Sequence, residues 1–100
     1  MSADGCCDMR GFLSFQILWL LSKKDMCGEE LAKELERRRG DKPKAGTIYP
    51  ALRELKAKSF IKGKEDGKMV VYALTPTGKK AVTIAKARFV RSFGDILLGS

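Results

Sequence analysis

A single β-hairpin in an otherwise helical chain is the feature that most restricts the fold. Two β-rich runs, residues 60–64 and 69–74, flank the tetrapeptide Glu65-Asp66-Gly67-Lys68. An Asp-Gly pair between two such runs is the strongest short-range signal for a tight hairpin turn. The other segments space their apolar residues as helices do. The sequence therefore predicts an α+β domain that is mainly α.

Four helices are predicted around this hairpin. Three precede it, over residues 9–23, 28–39 and 45–58, and the fourth starts within Thr75-Pro76-Thr77-Gly78 and reaches about Leu98. Pro50 forfeits a backbone hydrogen bond unless it lies in a first helical turn. Thr47 as N-cap would place Pro50 there; otherwise the third helix begins near Ala45 and bends slightly.

The order helix, helix, helix, hairpin, helix is that of a winged helix-turn-helix, in which the third helix enters the major groove of DNA and the hairpin is the wing. The chain is therefore expected to comprise a flexible arm (1–8), a DNA-binding winged helix-turn-helix (9–75) and a C-terminal dimerisation helix (76–100). The last boundary depends on the helical apolar stripe after Gly78.

The charge is unevenly distributed along the chain. The net charge is +8, yet the segment from Arg37 to Arg91 holds sixteen Lys and Arg against four Asp and Glu. A basic block on one face of a domain favours a polyanionic partner, either nucleic acid or an anionic lipid surface. The alternative is a lysine-rich surface that serves solubility alone.

Three motifs resemble the PadR family of winged-helix regulators. Residues 46–55 read G-T-I-Y-P-A-L-R-E-L, residues 71–78 read V-Y-A-L-T-P-T-G after Phe60-Ile61, and residues 28–35 read G-E-E-L-A-K-E-L. The family patterns are G-T-L-Y-P-x-L-x-x-L, Y-x-L-T-x-x-G and G-Y-x-I-A-K-x-L, and the similarity runs from about Phe12 to Lys80. Glu29 stands where the family usually has an aromatic residue, and Ser59 where glycine is common. The resemblance implies a compact member with one C-terminal dimerisation helix.

The candidate DNA contacts lie on the third helix, the loop before it and the wing. Helix-start N–H groups and hydroxyls bind phosphate, an arginine one turn further on reaches a guanine edge or a phosphate, and wing lysines contact phosphate without reading sequence. Lysines on an edge strand also protect against aggregation, which is the competing interpretation for the wing. The residues are Lys42, Lys44, Ala45, Gly46, Thr47, Tyr49, Arg53, Lys56, Lys62, Lys64 and Lys68.

An aromatic and aliphatic face on the first and last helices is the candidate dimer interface, because it is too large to leave exposed on a small monomer. Its residues are Phe12, Phe15, Trp19, Val82, Ala85, Phe89, Phe93 and Ile96. The resemblance also implies a second use, since some relatives bind flat hydrophobic ligands near the dimer interface. A small hydrophobic effector is therefore a candidate partner, although plain dimer core is the preferred interpretation.

Together these features predict a sequence-specific regulator of transcription, a repressor that binds a pseudo-palindromic duplex as a homodimer. The alternative is a non-specific DNA-compacting protein, or another basic winged-helix module that contacts protein or RNA. An enzyme is disfavoured because the chain has no histidine, hence no His base or Ser-His pair. No cofactor is expected. The apolar stretch 11–21 is too short to span a bilayer, so a cytoplasmic location is expected.

The three cysteines carry a weaker signal. Cys6, Cys7 and Cys27 match no zinc-ligand spacing, and their number is odd. Reduced, inert thiols are the preferred interpretation, with a soft-metal or oxidation sensor as the alternative.

Overall fold

Four helices surround a three-stranded antiparallel sheet of strand order β1-β3-β2. The computed structural model describes residues 4–99, with side chains from residue 12 onward. Its elements are α1 (Asp4–Leu21), β1 (Met26–Cys27), α2 (Gly28–Arg39), α3 (Ala45–Ala57), β2 (Ile61–Asp66), β3 (Met69–Leu74) and α4 (Pro76–Leu97). The mainly helical winged helix-turn-helix predicted from the sequence is confirmed.

The wing hairpin closes in a two-residue turn at Gly67-Lys68. Asp66 pairs with Met69, so β2 continues two residues beyond its predicted end at residue 64. Gly67 has a φ of 68°, which a side chain would disfavour, whereas Lys68 has no positive φ. A glycine at the first of the two central residues is typical of the type II′ turn, one of the two turn types whose twist matches that of the flanking strands. The hairpin therefore lies where the sequence predicts it, but its turn is formed by Gly67-Lys68 and not by the Asp66-Gly67 pair.

Strand β1 was not predicted; its residues were assigned to a turn between two helices. Met26 pairs with Tyr72, and Cys27 pairs with Val71. Two residues are too few to show the alternation that identifies a strand. They become a strand only because the edge of β3 offers unpaired backbone groups.

One helix start differs from expectation, and another decides between two predicted alternatives. Helix α1 begins at Asp4 rather than near residue 9, so residues 4–8 of the predicted arm are helical, and residues 1–3 lie outside the described residues. No proline interrupts this stretch, so nothing in the backbone stops the helix. Lys44, not Thr47, is the N-cap of α3, and Pro50 lies inside the helix. The start near Ala45 is therefore the correct alternative.

The core is formed where α1, α2 and α3 meet the sheet. The largest fully buried side chains are Ile17, Leu20, Leu31, Leu35 and Leu52. On α3 the residues facing this core are Ile48, Leu52 and Leu55. Burying one such side chain contributes about 1.5–3 kcal/mol, so the inner stripe of α3 fixes which of its faces is left for a partner.

The start of α2 is held by a local hydrogen bond. The backbone N–H of Cys27 donates to Glu30 Oε1 at 3.1 Å. This bond, with a smaller contribution from Lys24, lowers the pKa of Glu30 below 4.5. Because the pKa is lowered, the stabilising effect of this hydrogen bond is present above pH 4.5 and is lost as the pH falls through the shifted value.

Within residues 4–99, no helix is long and apolar enough to cross a membrane.

Candidate nucleic-acid interface

The exposed stripe of α3 presents three functional side chains in a row. Tyr49, Arg53 and Lys56 are exposed at helical spacing, on the side away from the buried Ile48 and Leu52. Because the buried residues fix the helix rotation, the exposed stripe cannot turn inward without losing core contacts. The geometry leaves the Arg53 and Lys56 side chains exposed along one helix face, with the half-exposed Tyr49 one turn before Arg53.

The start of α3 adds an exposed backbone surface. Lys44, Ala45, Gly46 and Thr47 are all exposed, and a Cβ atom on Gly46 would meet nothing within 4 Å. Proline has no N–H, so Pro50 leaves the carbonyl oxygen of Gly46 without its usual helical donor. The first N–H groups of a helix and its dipole favour a phosphate at this end.

The wing presents its lysines on the face of the sheet turned away from the core. Opposite residues in an antiparallel pair share a face. Lys62 lies opposite Ala73 and Lys64 opposite Val71, whereas the buried Ile61 lies opposite Leu74 on the other face. Lys68 is exposed in the turn itself.

Seven Lys and Arg side chains of α3, the loop before it and the wing have no carboxylate partner among the described residues. Among the described residues, no Asp or Glu lies within ion-pair distance of these seven side chains, whereas Arg37, Arg38 and Lys58 are paired within their helices. Unpaired cations on one surface keep their full charge for an anionic partner. They are Lys42, Lys44, Arg53, Lys56, Lys62, Lys64 and Lys68.

Tyr49 makes a contact that sequence reasoning missed. A Cβ atom placed on Gly28 would lie 2.6 Å from Tyr49 Oη and 3.1 Å from its Cζ, so the tyrosine ring edge lies directly over the first residue of α2. Burial raises the pKa of Tyr72 on β3, and the neighbouring Tyr49 raises it further. No local pattern reports these contacts, because the residues come together only in the tertiary structure.

The aromatic residues of α1 and α4 form one cluster. The ring centroids of Phe89 lie 5.1 Å from Phe93 and 5.6 Å from Phe15, and Phe12 lies 5.9 Å from Phe93. Phe12 is 41% exposed, and Ile96 is 72% exposed. The cluster therefore brings together four of the predicted interface residues, Phe12, Phe15, Phe89 and Phe93, and leaves them partly uncovered.

Val82 requires a correction within the predicted interface. It is 6% exposed and packs in the core of its own chain, so it has little surface to offer a partner. The apolar period of α4 could not show which turn of the helix meets the core. Ala85 is half-buried next to Phe89 and stays in the candidate interface.

A cavity of about 590 Å³ borders the aromatic cluster. Lys23 and Arg38 lie over the Trp19 ring, each 4.8 Å from its centroid. Cations at this distance are attracted to the ring face. The cavity is lined by Phe12, Phe15, Gln16, Trp19, Arg38, Arg39, Lys86, Phe89 and Val90.

Cys27 is the one cysteine whose side chain lies in the described part of the chain. Cys27 is a buried free thiol, and in the part of the chain with described side chains no group of three His, Cys, Asp or Glu residues is arranged to hold a metal ion. The side chains of Cys6 and Cys7 lie outside that part, so the sensor alternative stays untested.

Comparisons with known proteins agree with this geometry. The model of the transcriptional regulator PadR-like family matches residues 17–84. RosR of H. salinarum has 29% sequence identity and a TM-score of 0.74 over 81% of this chain and 74% of its own. A PadR family transcription regulator from Clostridium difficile R20291 has 29% identity and a TM-score of 0.72, covering 86% of this chain and 98% of that one.

A PadR-like transcription factor from Bacteroides fragilis has a TM-score of 0.81 over 99% of this chain and all of its own. At its 20% identity the likeness shows the fold alone. No curated protein sequence matches the chain.

Proposed function

Because the chain belongs to the PadR-like family of transcriptional regulators, we propose that it binds specific double-stranded DNA sites as a homodimer and represses transcription there. The observation that supports this most is the exposed stripe of α3, together with exposed wing lysines that have no carboxylate partner among the described residues. Such a surface needs no catalytic group. It acts by occupying a duplex.

In the proposed complex, α3 lies in the major groove and the wing lies along the neighbouring backbone. Arg53 reads a base edge, since a bidentate arginine–guanine pair is the commonest specific contact. Thr47 and the start of α3 bind a phosphate, and Lys42, Lys44 and Lys56 add charge around them. Lys62, Lys64 and Lys68 contact phosphate without sequence preference.

A second copy of the chain is the proposed partner of the aromatic cluster. Val90 is 61% and Ile96 72% exposed along the same helix as Phe89 and Phe93. An apolar surface of this extent on a small domain is typical of a protein interface. A two-fold dimer would place two α3 helices to read the two halves of a pseudo-palindrome.

Mutations in α3 and in the wing are expected to affect DNA affinity differently. Arg53→Ala should cost about 1–3 kcal/mol on the preferred duplex and much less on random duplex, because it removes a base contact. Lys64→Ala and Lys68→Ala should weaken both duplexes alike and reduce the slope of log affinity against log salt by about one unit each. The measurement is titration of each variant against a selected and a scrambled duplex at several salt concentrations.

Lys80→Ala is the matched control for these titrations, because it removes the same charge from an exposed position on α4 outside the proposed surface. It should leave the salt slope close to that of the unmodified protein. Equal losses on both duplexes for Arg53→Ala and the wing variants would instead favour a non-specific DNA-compacting protein. Preference for single-stranded RNA over duplex DNA would favour the RNA-binding alternative.

The cavity beside Trp19 supports a second, narrower role as the site of a small hydrophobic effector. Its walls include four aromatic residues (Phe12, Phe15, Trp19 and Phe89), and its residues come from α1, α2 and α4. Trp19 is the only tryptophan, so its fluorescence reports directly on occupancy. Saturable quenching by the hydrophobic dye ANS, abolished when Phe15→Ala opens the cavity wall, is the expected result. Quenching that is unchanged in this variant would leave the cluster as dimer core only.

A further inference from the structure

The contact between Tyr49 and Gly28 joins the DNA-reading helix to the helix before it. Oη, Cζ and Cε1 of Tyr49 would lie 2.6, 3.1 and 3.2 Å from a Cβ atom at residue 28. Real Cβ atoms do not approach other heavy atoms at 2.6 Å, so any side chain at residue 28 must displace the ring. Gly28 is buried, whereas Tyr49 is 46% exposed.

The backbone at residue 28 does not itself demand glycine. Its φ is not positive, and the residue opens α2 with ordinary helical geometry. Alanine is the better helix former of the two. The close approach of Tyr49 is therefore what a side chain at residue 28 would disturb, because the tyrosine ring would have to move away from it.

The same tyrosine also faces the wing. A cleft between the start of α2 and the wing is lined by Tyr49, Tyr72 and Lys68, among others. The Tyr72 ring leans from β3 across β2, where a Cβ atom on Gly63 would lie 3.4 Å from Tyr72 Cε1. One tyrosine thus covers a glycine of α2, the other covers a glycine of the wing, and both border one cleft.

We infer that Tyr49 is a positioning residue: its ring, packed on Gly28 and bordering the wing cleft, sets the orientation of α3 relative to α2 and the wing. The consequence for DNA rests on the proposed function, because only a DNA-binding protein needs α3 and the wing in a fixed relation. If α3 or the wing were displaced, its DNA contacts would be lost, and the other element alone could not replace them. The role differs from a phosphate contact, for which residue 28 is irrelevant.

The test uses Gly28→Ala, Tyr49→Phe and the double variant in the DNA-free protein, followed by amide NMR shifts. Gly28→Ala should shift amides throughout α3 and along β3 near Tyr72, because the ring must move away from the new methyl group. With phenylalanine at residue 49, the nearest atom is a ring carbon about 3.1 Å away, which a small displacement relieves. In that background Gly28→Ala should produce clearly smaller shifts.

DNA affinity is measured with the same three variants. Gly28→Ala should weaken binding to the preferred duplex about tenfold in the unmodified background and about threefold or less beside Tyr49→Phe, as expected for coupled neighbours. Gly94→Ala is the matched control, since its added Cβ would lie 3.7 Å from Val90 Cγ1, an ordinary contact. It should leave the amides of α3 unshifted.

Shifts confined to the neighbours of residue 28, or equal in both backgrounds, would overturn the inference. Equal affinity losses in both backgrounds would overturn it as well. Failure of the unmodified protein to bind any duplex would reject the proposed function instead, and the NMR shifts would still decide whether Tyr49 orients α3.

Discussion

Phe89→Asp is expected to convert the proposed dimer into monomers and to abolish the proposed specific DNA binding. Phe89 lies at the centre of the aromatic cluster, in ring contact with Phe12, Phe15 and Phe93. A carboxylate there would stand among aromatic rings and would have to be desolvated to stay in the interface. Each monomer would retain only one reading helix. We expect affinity for a pseudo-palindromic duplex to fall about a thousandfold, the lower end of the gap between specific and non-specific binding.

Sedimentation equilibrium at micromolar concentration measures the first effect, and duplex titration measures the second. Ala87→Asp is the matched control, because it introduces the same charge at an exposed residue of α4 that does not line the cavity beside Trp19. It should remain dimeric. Circular dichroism separates monomerisation from unfolding, and Phe89→Leu, which keeps an apolar side chain, should dimerise more weakly but still fold. A Phe89→Asp variant that sediments as a dimer would contradict the proposed interface.

Gly78→Ala is expected to destabilise the fold severely. A Cβ atom on Gly78 would lie 1.9 Å from the carbonyl oxygen of Phe60 and 3.0 Å from Leu74 Cδ2. The Phe60 carbonyl is backbone at the start of the wing and already accepts a hydrogen bond from the Thr75 N–H. It cannot rotate away as a side chain would, so α4 must shift from the sheet. We expect a loss of about 3 kcal/mol or more, a large part of the stability of a small domain.

Urea denaturation of Gly78→Ala, compared with Gly94→Ala, measures this loss. Both variants add one methyl group to α4, but only the first meets backbone, so Gly94→Ala should change the midpoint little or raise it slightly. Equal midpoints for the two variants would show that α4 packs more loosely on the wing than the geometry indicates. The close approach also explains why the motif at residues 71–78 ends in glycine.

Short-range sequence patterns were sufficient to predict the wing hairpin and the buried and exposed faces of α3. Asp66-Gly67 located the wing turn, and the apolar period of α3 separated the buried Leu52 from the exposed Arg53. Ser59 is the one non-glycine among the described residues with a positive φ, at 64°, which gives a physical reason for the glycine common at that position in the resembling family.

What the sequence did not reveal depends on residues far apart in the chain. The strand Met26–Cys27 exists because β3 pairs with it, and Val82 is buried because the start of α4 packs on the core. The Tyr49–Gly28 contact needs α2 and α3 already in place. Periodicity shows that a helix has an apolar face, but not which of its turns meets the core and which meets a partner.

The pairing of β1 with β3 has a consequence for how the chain folds. The hairpin β2–β3 is local and can form quickly, but Met26 meets Tyr72 only after the intervening α2 and α3 have been brought into one loop. Long-range pairings of this kind slow folding, because chain entropy is lost before the contact is gained. During synthesis β1 has no partner until β3 has left the ribosome. Helix α3, the proposed DNA-reading helix, lies inside the loop that this pairing closes, so we expect it to reach its final orientation late in folding.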